Sequence, residues 1–214
     1  MRVMALTVIS LAAAMMAQAA SIVIVDNLSQ TPVGTDIGLN TAAQQFIVGG
    51  TSLTLQDVTL DLFGTPGEVA SVDVSLFSDD SGLPGTSLLS LGELTPSGTG
   101  FADYTASGTY SLAADTPYWI VVKYLGLPSW GYTGDYTDSG TGTLGSFANS
   151  GNGGTSWNGP YDNQPYILEV TGTTGTSPVP EPSSVILLSA MLLAVAFAAR
   201  KHNARARVRP LEGN

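Results

Sequence analysis

Two neighbouring carboxylates, Asp79 and Asp80, are the residues of this chain whose types and spacing come nearest to catalytic chemistry. A pair of carboxylates can hydrolyse a glycoside when one is protonated and the other ionised across a sugar ring. Adjacent side chains of an extended strand diverge, however, and the segment Ser78 to Gly85 (S-D-D-S-G-L-P-G) is dense in turn-forming residues. The same oxygens could hold Ca²⁺, although the ordered calcium-loop pattern is missing. Asp79 and Asp80 are therefore a weak calcium candidate, and we expect no catalytic residue here.

Nucleophilic and zinc-dependent catalysis lack their usual residues in the body of the chain. The single histidine, His202, lies in a basic C-terminal segment, and the sequence has no cysteine. A Ser-His or Cys-His nucleophile system and a zinc site of His or Cys ligands are therefore excluded there. Gly140 to Gly145 (G-T-G-T-L-G) matches the dinucleotide-binding fingerprint, but a Gly/Ser/Thr loop precedes it and no helix pattern follows. We expect a noncatalytic protein without a cofactor.

A Gly-rich segment, residues 125–162, carries aromatic side chains that could bind a ligand, with nine glycines between Gly131 and Gly159. The aromatic residues in question are Trp130, Tyr132, Tyr136, Trp157 and Tyr161. Flat apolar rings beside polar loop residues suit stacking on sugars. Two interpretations stay open: the rings form a carbohydrate-binding surface, or Trp130 and Trp157 close the ends of the fold while glycine allows tight turns.

Charge is strongly segregated along the sequence. Residues 20–177 contain fifteen of the seventeen acids and a single cation, Lys123, for a formal net charge of −14. Residues 200–214 carry +4. Their cations, which would stop translocation across a membrane, are Arg200, Lys201, Arg205, Arg207 and Arg209. So acidic a body repels phosphates, which argues against nucleic acid as a partner. The positive end is expected to stay in the cytoplasm.

The elements that must position these residues are predicted to be short strands. Residues 20–173 are rich in Gly, Thr, Ser and Val and show no convincing amphipathic helix. The clearest apolar or alternating segments are residues 22–25, 43–48, 53–62, 70–76, 88–94, 110–112, 118–124 and 166–170. In residues 53–62 the alternation changes parity, which predicts a bulge near Gln56 and Asp57. Eight or nine such strands predict an all-β, jelly-roll-like β-sandwich in one domain.

The N-terminus has the pattern of a signal peptide. Arg2 provides the positive charge, residues 3–16 are apolar, and Ala17 and Ala19 are small residues at the two positions that a signal peptidase reads. Cleavage is expected after Ala19. Retention of residues 3–20 as a first membrane helix is the alternative, but that segment lacks a charged stop on its outer side.

The C-terminus combines a proline pair, an apolar run and the basic tail. As a helix, the seventeen residues 183–199 would rise about 25 Å, slightly less than the roughly 30 Å of a bilayer's hydrocarbon core. We therefore expect one transmembrane helix at 183–199. This tripartite ending, with Pro180, Glu181 and Pro182 ahead of the span, resembles the PEP-CTERM sorting signal. The resemblance implies that an exosortase-type membrane enzyme processes the chain as its substrate. A plain single-pass anchor with a proline-rich stalk is the alternative.

The body of the chain also has a family resemblance. It rests on Asp26-Asn27, Gln45-Phe46, the segments 53–60 and 74–79, and the sharpest stretch, Ala114 to Val122 (A-D-T-P-Y-W-I-V-V). These residues are similar to the choice-of-anchor R domain of exported bacterial proteins. That resemblance implies attachment through a C-terminal tail and no known catalysis or ligand.

Together these patterns predict five segments: a signal peptide at 1–19, a β-sandwich ectodomain at 20–173, a spacer with the Pro-Glu-Pro motif at 174–182, the helix at 183–199 and a cytoplasmic tail at 200–214. The expected protein is exported across the inner membrane, anchored there transiently, and passed to the cell surface or extracellular matrix. The alternative function is a carbohydrate-binding module of an exopolysaccharide matrix.

Overall fold

The computed structural model describes residues 20–35, 40–63, 71–94, 100–105, 109–124 and 129–175, and these residues form β-strands without any helix. The thirteen strands in this part of the chain are β1 (Ser21–Asp26), β2 (Gly34–Thr35), β3 (Thr41–Ile47), β4 (Leu53–Phe63), β5 (Val72–Asp80), β6 (Leu83–Leu94), β7 (Gly100–Thr105), β8 (Ser111–Leu112), β9 (Pro117–Tyr124), β10 (Ser129–Tyr132), β11 (Thr143–Ser150), β12 (Asn158–Tyr161) and β13 (Leu168–Thr173). The predicted all-β class is confirmed.

The strands form two antiparallel sheets. A seven-stranded sheet has the order β1-β13-β4-β10-β2, with β7 and β8 also paired to β4. A six-stranded sheet has the order β12-β11-β3-β9-β5-β6. The long strand β4 is a central strand of the first sheet, because it pairs with β13 on one side and with β7 and β8 on the other.

One apolar core joins side chains from both sheets. It includes Val58, Leu60 and Val170 of the seven-stranded sheet together with Leu76 and Ile120 of the six-stranded sheet, all fully buried. Burial of apolar surface between two sheet faces is the main favourable term for such a fold. The arrangement is consistent with a β-sandwich.

Strand β4 shows how the parity change in the sequence is accommodated. Its pairing with β13 passes from Asp57 opposite Thr171 to Leu55 opposite Gly172, which leaves Gln56 as the extra residue of a bulge. The bulge restores the alternation, so that Leu55 and Val58 are both buried in the same core. The bulge predicted near Gln56 and Asp57 is confirmed.

Strand β9 is apolar on both faces, and each face packs into a different cluster. Ile120 and Val122 lie in the core shared by the two sheets. Trp119 and Val121 instead belong to a second buried cluster, with Ala43 and Ala148. The segment 118–124 is a strand as predicted, and Trp119 packs on the face of the six-stranded sheet opposite the shared core, which we call its outer face.

Two sequence expectations about turns were wrong. The segment 78–85 was predicted as a broad turn, yet β5 and β6 pair through Asp79 opposite Pro84 and Asp80 opposite Leu83. Only Ser81 and Gly82 form the turn, both with positive φ, at 57° and 84°. A two-residue turn with two positive φ values matches the twist of the strands that flank it. The segment 125–162, expected as loops, contains β10, β11 and β12.

Buried amide side chains tie the segment before β13 to both sheets. Asn27 accepts a hydrogen bond from the Leu168 backbone N–H at 2.8 Å and donates to the Tyr166 carbonyl at 3.0 Å. Gln44 accepts from the Tyr166 N–H at 2.9 Å and donates to the Gly145 carbonyl at 2.8 Å. These bonds satisfy backbone groups of Tyr166, Leu168 and Gly145.

The first and last described strands are neighbours. β1 pairs antiparallel with β13, with Ser21 opposite Thr173. The compact unit that contains all thirteen strands ends at Gly175. The predicted signal peptide, the Pro-Glu-Pro motif, the span at 183–199 and the basic tail lie outside the described residues. In the part of the chain that is described, no helix has the length and apolar character to cross a bilayer.

Candidate ligand-binding cleft

The five aromatic residues singled out in the sequence do not share one surface. Trp130 and Tyr132 are placed toward the core, Tyr136 and Tyr161 meet beside β12, and Trp157 lies against the outer face of the six-stranded sheet. The structure therefore separates the predicted aromatic set into three locations with different surroundings.

Trp130 cannot bind a sugar, which corrects the sequence expectation. Its side chain is fully buried in β10, and its indole N–H donates to the Ile167 carbonyl at 2.8 Å. Its ring stacks on Tyr166, with ring centroids 4.5 Å apart. Tyr132 is only partly buried but packs against the same core. Both rings pack in or against the core, and the indole N–H of Trp130 is satisfied there, which makes Trp130 a favourable core residue.

Tyr136 and Tyr161 form a polar-aromatic contact at the edge strand β12. The Tyr136 hydroxyl donates to the Tyr161 carbonyl at 3.3 Å. Burial, followed by the negative charge of Asp162, raises the pKa of Tyr136 to about 12, so this hydroxyl keeps its proton. The Tyr161 ring is 40% exposed and lies on Phe147, with ring centroids 5.1 Å apart. This pair offers a single partly open ring, that of Tyr161.

Trp157 is placed differently from the other aromatics. It is half-buried and packs on the outer-face cluster of Ala43, Trp119, Val121 and Ala148. The segment 151–157 is held in place by its own side chains: Ser150 accepts from the Gly154 N–H at 2.9 Å, and Asn152 accepts from the Ser156 N–H at 2.9 Å. A loop fixed by local hydrogen bonds presents Trp157 in a defined position.

Asp79 is the best-anchored carboxylate in the described part of the chain. One oxygen, Oδ1, accepts from the Trp119 indole N–H at 2.8 Å and from Gln45 Nε2 at 2.7 Å. The other, Oδ2, accepts from the Gly82 backbone N–H at 3.0 Å, across the β5–β6 turn. A carboxylate has about four acceptor positions, so about one remains open on Oδ2.

Asp80, by contrast, is exposed, and it accepts a long hydrogen bond of 3.3 Å from Ser81 Oγ. The weak calcium hypothesis gains no support from this geometry. Among the described residues, no group of three or more acidic, His or Cys side chains lies close enough together to hold a metal ion. Asp79 instead anchors a turn and a buried indole.

Asp79, Asp80 and Trp157 line one cleft of about 420 Å³ on the outer face of the six-stranded sheet. One wall is the β5–β6 hairpin and the other is the loop before β12. The remaining lining residues are Ser78, Pro84, Gly85, Thr86, Gly154 and Thr155. The volume falls within the roughly 300–1,000 Å³ typical of small-molecule sites. The sequence pointed to Asp79, Asp80 and Trp157 separately, but gave no signal that they meet.

Close approach of neighbouring backbone explains Gly140 and Gly142, two glycines of the segment that matches the dinucleotide-binding fingerprint. A Cβ at Gly140 would lie 2.4 Å from the Ile24 carbonyl oxygen, and one at Gly142 would lie 2.1 Å from the Ile47 carbonyl oxygen. Strand β11 begins at Thr143, where a nucleotide-binding motif requires a helix. The glycines allow backbones to approach, and the rejection of a dinucleotide site is supported.

No known protein-family model and no curated protein matches this chain. The resemblances to the PEP-CTERM signal and to the choice-of-anchor R domain therefore stay predictions from the sequence.

Proposed function

We propose that this chain is a noncatalytic exported protein of the cell surface or extracellular matrix, sorted through its C-terminal PEP-CTERM-like signal by an exosortase-type enzyme. The observation that carries the proposal is the order of the C-terminal residues: Pro180-Glu181-Pro182, the apolar run 183–199, and then five cations. Such an order fits a segment that halts in a membrane with its positive end in the cytoplasm.

The position of the folded unit supports this proposal. Strand β13 ends at Thr173, and the compact unit ends at Gly175, a few residues before Pro180. A sorting enzyme needs access to its motif, and a short Gly/Thr/Ser segment between the last strand and the motif is a composition that favours such access. The finer assignment of the two sheets, a sandwich of jelly-roll type with a choice-of-anchor R identity, belongs to the same proposal.

Charge supports the proposed orientation. Residues 20–177 carry a formal −14 and the segment after the apolar run carries +4. Lys and Arg next to a membrane span remain inside, and the body of the chain, residues 20–177, has Lys123 as its one cation, so it is the part expected to be exported. The absence of His and Cys from residues 20–177 supports the noncatalytic part of the proposal.

The test replaces Pro180, Glu181 and Pro182 together by alanine in the producing organism. We expect an unprocessed form to accumulate in the membrane fraction, detected by mass spectrometry of both termini. The matched control replaces Thr174, Gly175 and Thr176, which follow β13 and precede the motif, by alanine and should leave processing intact. If the Pro-Glu-Pro variant is processed and released like the wild type, the sorting assignment is wrong.

A further inference from the structure

The cleft on the outer face of the six-stranded sheet combines one aromatic wall with polar walls. Trp157 is its aromatic side chain, and Ser78, Thr86 and Thr155 contribute hydroxyl groups. Asp79 and Asp80 line it from the end of β5. A flat ring beside a few converging hydrogen-bonding groups is the usual composition of a site for a polar, ring-shaped ligand.

The walls of the cleft are fixed in advance. Asp79 receives three hydrogen bonds, from Gln45, Trp119 and Gly82, that set its orientation. The opposite wall is held by the hydrogen bonds that Ser150 and Asn152 make within residues 150–156. Preorganised walls reduce the entropy lost on binding, so even a small cleft can retain a ligand.

The charge of the cleft limits the ligand class. Its two carboxylates belong to a domain with a formal charge of −14, and the only cation of residues 20–177 is Lys123. Anionic polymers would be repelled, whereas neutral hydroxyl groups can donate to Asp80 and to the remaining acceptor position of Asp79. Threonine and serine hydroxyls can both donate to and accept from sugar hydroxyls.

We propose that this cleft binds a neutral oligosaccharide, with one sugar ring on the Trp157 indole and its hydroxyls on Asp80 and Thr86. The site goes beyond the sorting function, which needs no ligand on the folded domain. It also changes the residue set expected from the sequence: Trp157 and the β5–β6 carboxylates take part, while Trp130 and Tyr132 do not.

The tryptophans provide a direct readout. The chain has three, and Trp119 and Trp130 are both fully buried, so Trp157 is the one that a soluble quencher reaches. The experiment measures acrylamide quenching of the exported protein with neutral oligosaccharides of glucose, mannose, galactose and N-acetylglucosamine. Uronic acid oligomers, a lysine-rich peptide and Ca²⁺ serve as comparison ligands. Protection from quenching that saturates with at least one neutral series is the expected result.

Variants assign the protection to the cleft. Trp157→Ala should weaken retention on the bound glycan by at least about tenfold, since aromatic anchors in a binding site often contribute this much. Asp80→Asn removes a carboxylate that has no buried partner, so it tests the site without disturbing the fold, and we expect a severalfold loss. Tyr161→Ala is the matched control, because it removes an exposed aromatic ring elsewhere, and it should leave affinity unchanged.

Three results would overturn the proposal. The first is that no neutral oligosaccharide protects Trp157 from quenching. The second is that only Ca²⁺, the lysine-rich peptide or the uronic acid oligomers protect it. The third is that Asp80→Asn and Tyr161→Ala lower the affinity for the glycan equally. Circular dichroism on each variant shows that it is folded, so loss of binding is not read from an unfolded protein. The sorting proposal has its own test in the Pro-Glu-Pro variant, so either proposal can fail without the other.

Discussion

Replacement of Asp79 by alanine should be one of the most destabilising single changes in the six-stranded sheet. The carboxylate accepts hydrogen bonds from Trp119 Nε1 at 2.8 Å, Gln45 Nε2 at 2.7 Å and the Gly82 N–H at 3.0 Å. Trp119 is fully buried, so its N–H would lose the acceptor that satisfies it. The β5–β6 turn would lose its side-chain anchor at the same time.

The size of the effect follows from these contacts. A buried donor left without a partner costs about 1–3 kcal/mol, and a hydrogen bond to a charged group contributes about 1.5–3 kcal/mol. Because Gln45 and Gly82 are partly solvated, we expect a total loss of about 3–5 kcal/mol in the free energy of unfolding. For a domain of this size each kcal/mol lowers the melting temperature by about 2–4 °C, which predicts a fall of at least about 6 °C.

The assay is urea and thermal unfolding followed by far-ultraviolet circular dichroism. Asp80→Asn, at the neighbouring exposed position, is the control and should stay within about 0.5 kcal/mol of the wild type. A second background separates the indole from the turn. The Trp119→Phe variant has no indole N–H that could lose its acceptor. In that variant, Asp79→Ala should therefore lower the free energy of unfolding by at least about 1 kcal/mol less than in the wild type. A loss below about 1 kcal/mol in the wild-type background, or equal losses in both backgrounds, would refute the anchoring role.

Two further changes test other parts of the fold. Ser81 has a positive φ of 57° at the first position of the β5–β6 turn, where asparagine is better tolerated, so Ser81→Asn should raise the free energy of unfolding by a few tenths of a kcal/mol; a lower urea midpoint would contradict the turn geometry. Burial raises the pKa of Asp61 above its ordinary value of 3.8, so the native state holds this proton more tightly than the unfolded chain does. The contribution of Asp61 to stability should therefore fall as pH rises from below 3.8 through the raised pKa, and Asp61→Asn should remove that decline and be more stable at neutral pH. Unfolding measured across the acidic range checks this, and parallel pH profiles for the variant and the wild type would contradict it.

The fold could be predicted from the sequence where apolar residues alternate on a regular period. Strands β4, β5 and β9 follow that pattern, and even the bulge at Gln56 is visible as a change of parity. β11 was missed because T-L-G-S-F-A-N-S carries few apolar residues and no alternation. Its pairing with β3 is favoured by tertiary contacts that no local pattern records.

The candidate cleft could be predicted only in part. Turn-forming residues drew attention to Asp79 and Asp80, and glycine-flanked rings drew attention to Trp157. Their meeting depends on contacts between residues far apart in sequence, such as Asp79 with Trp119, which are 40 positions apart. The β5–β6 turn is shorter than the sequence predicts because Ser81 adopts a positive φ, which allows Ser81 and Gly82 alone to connect the two strands. Pro84 is compatible with pairing there because β6 is an edge strand.

The antiparallel pairing of β1 with β13 has a consequence for how such a domain can be reused. Ser21 and Thr173 are cross-strand partners, so the first strand begins and the last strand ends at the same corner of the sheet. A module with adjoining termini can be transplanted into a different host protein without rerouting the backbone. Leaders and tails of other kinds could be exchanged at that corner while the thirteen strands keep their register.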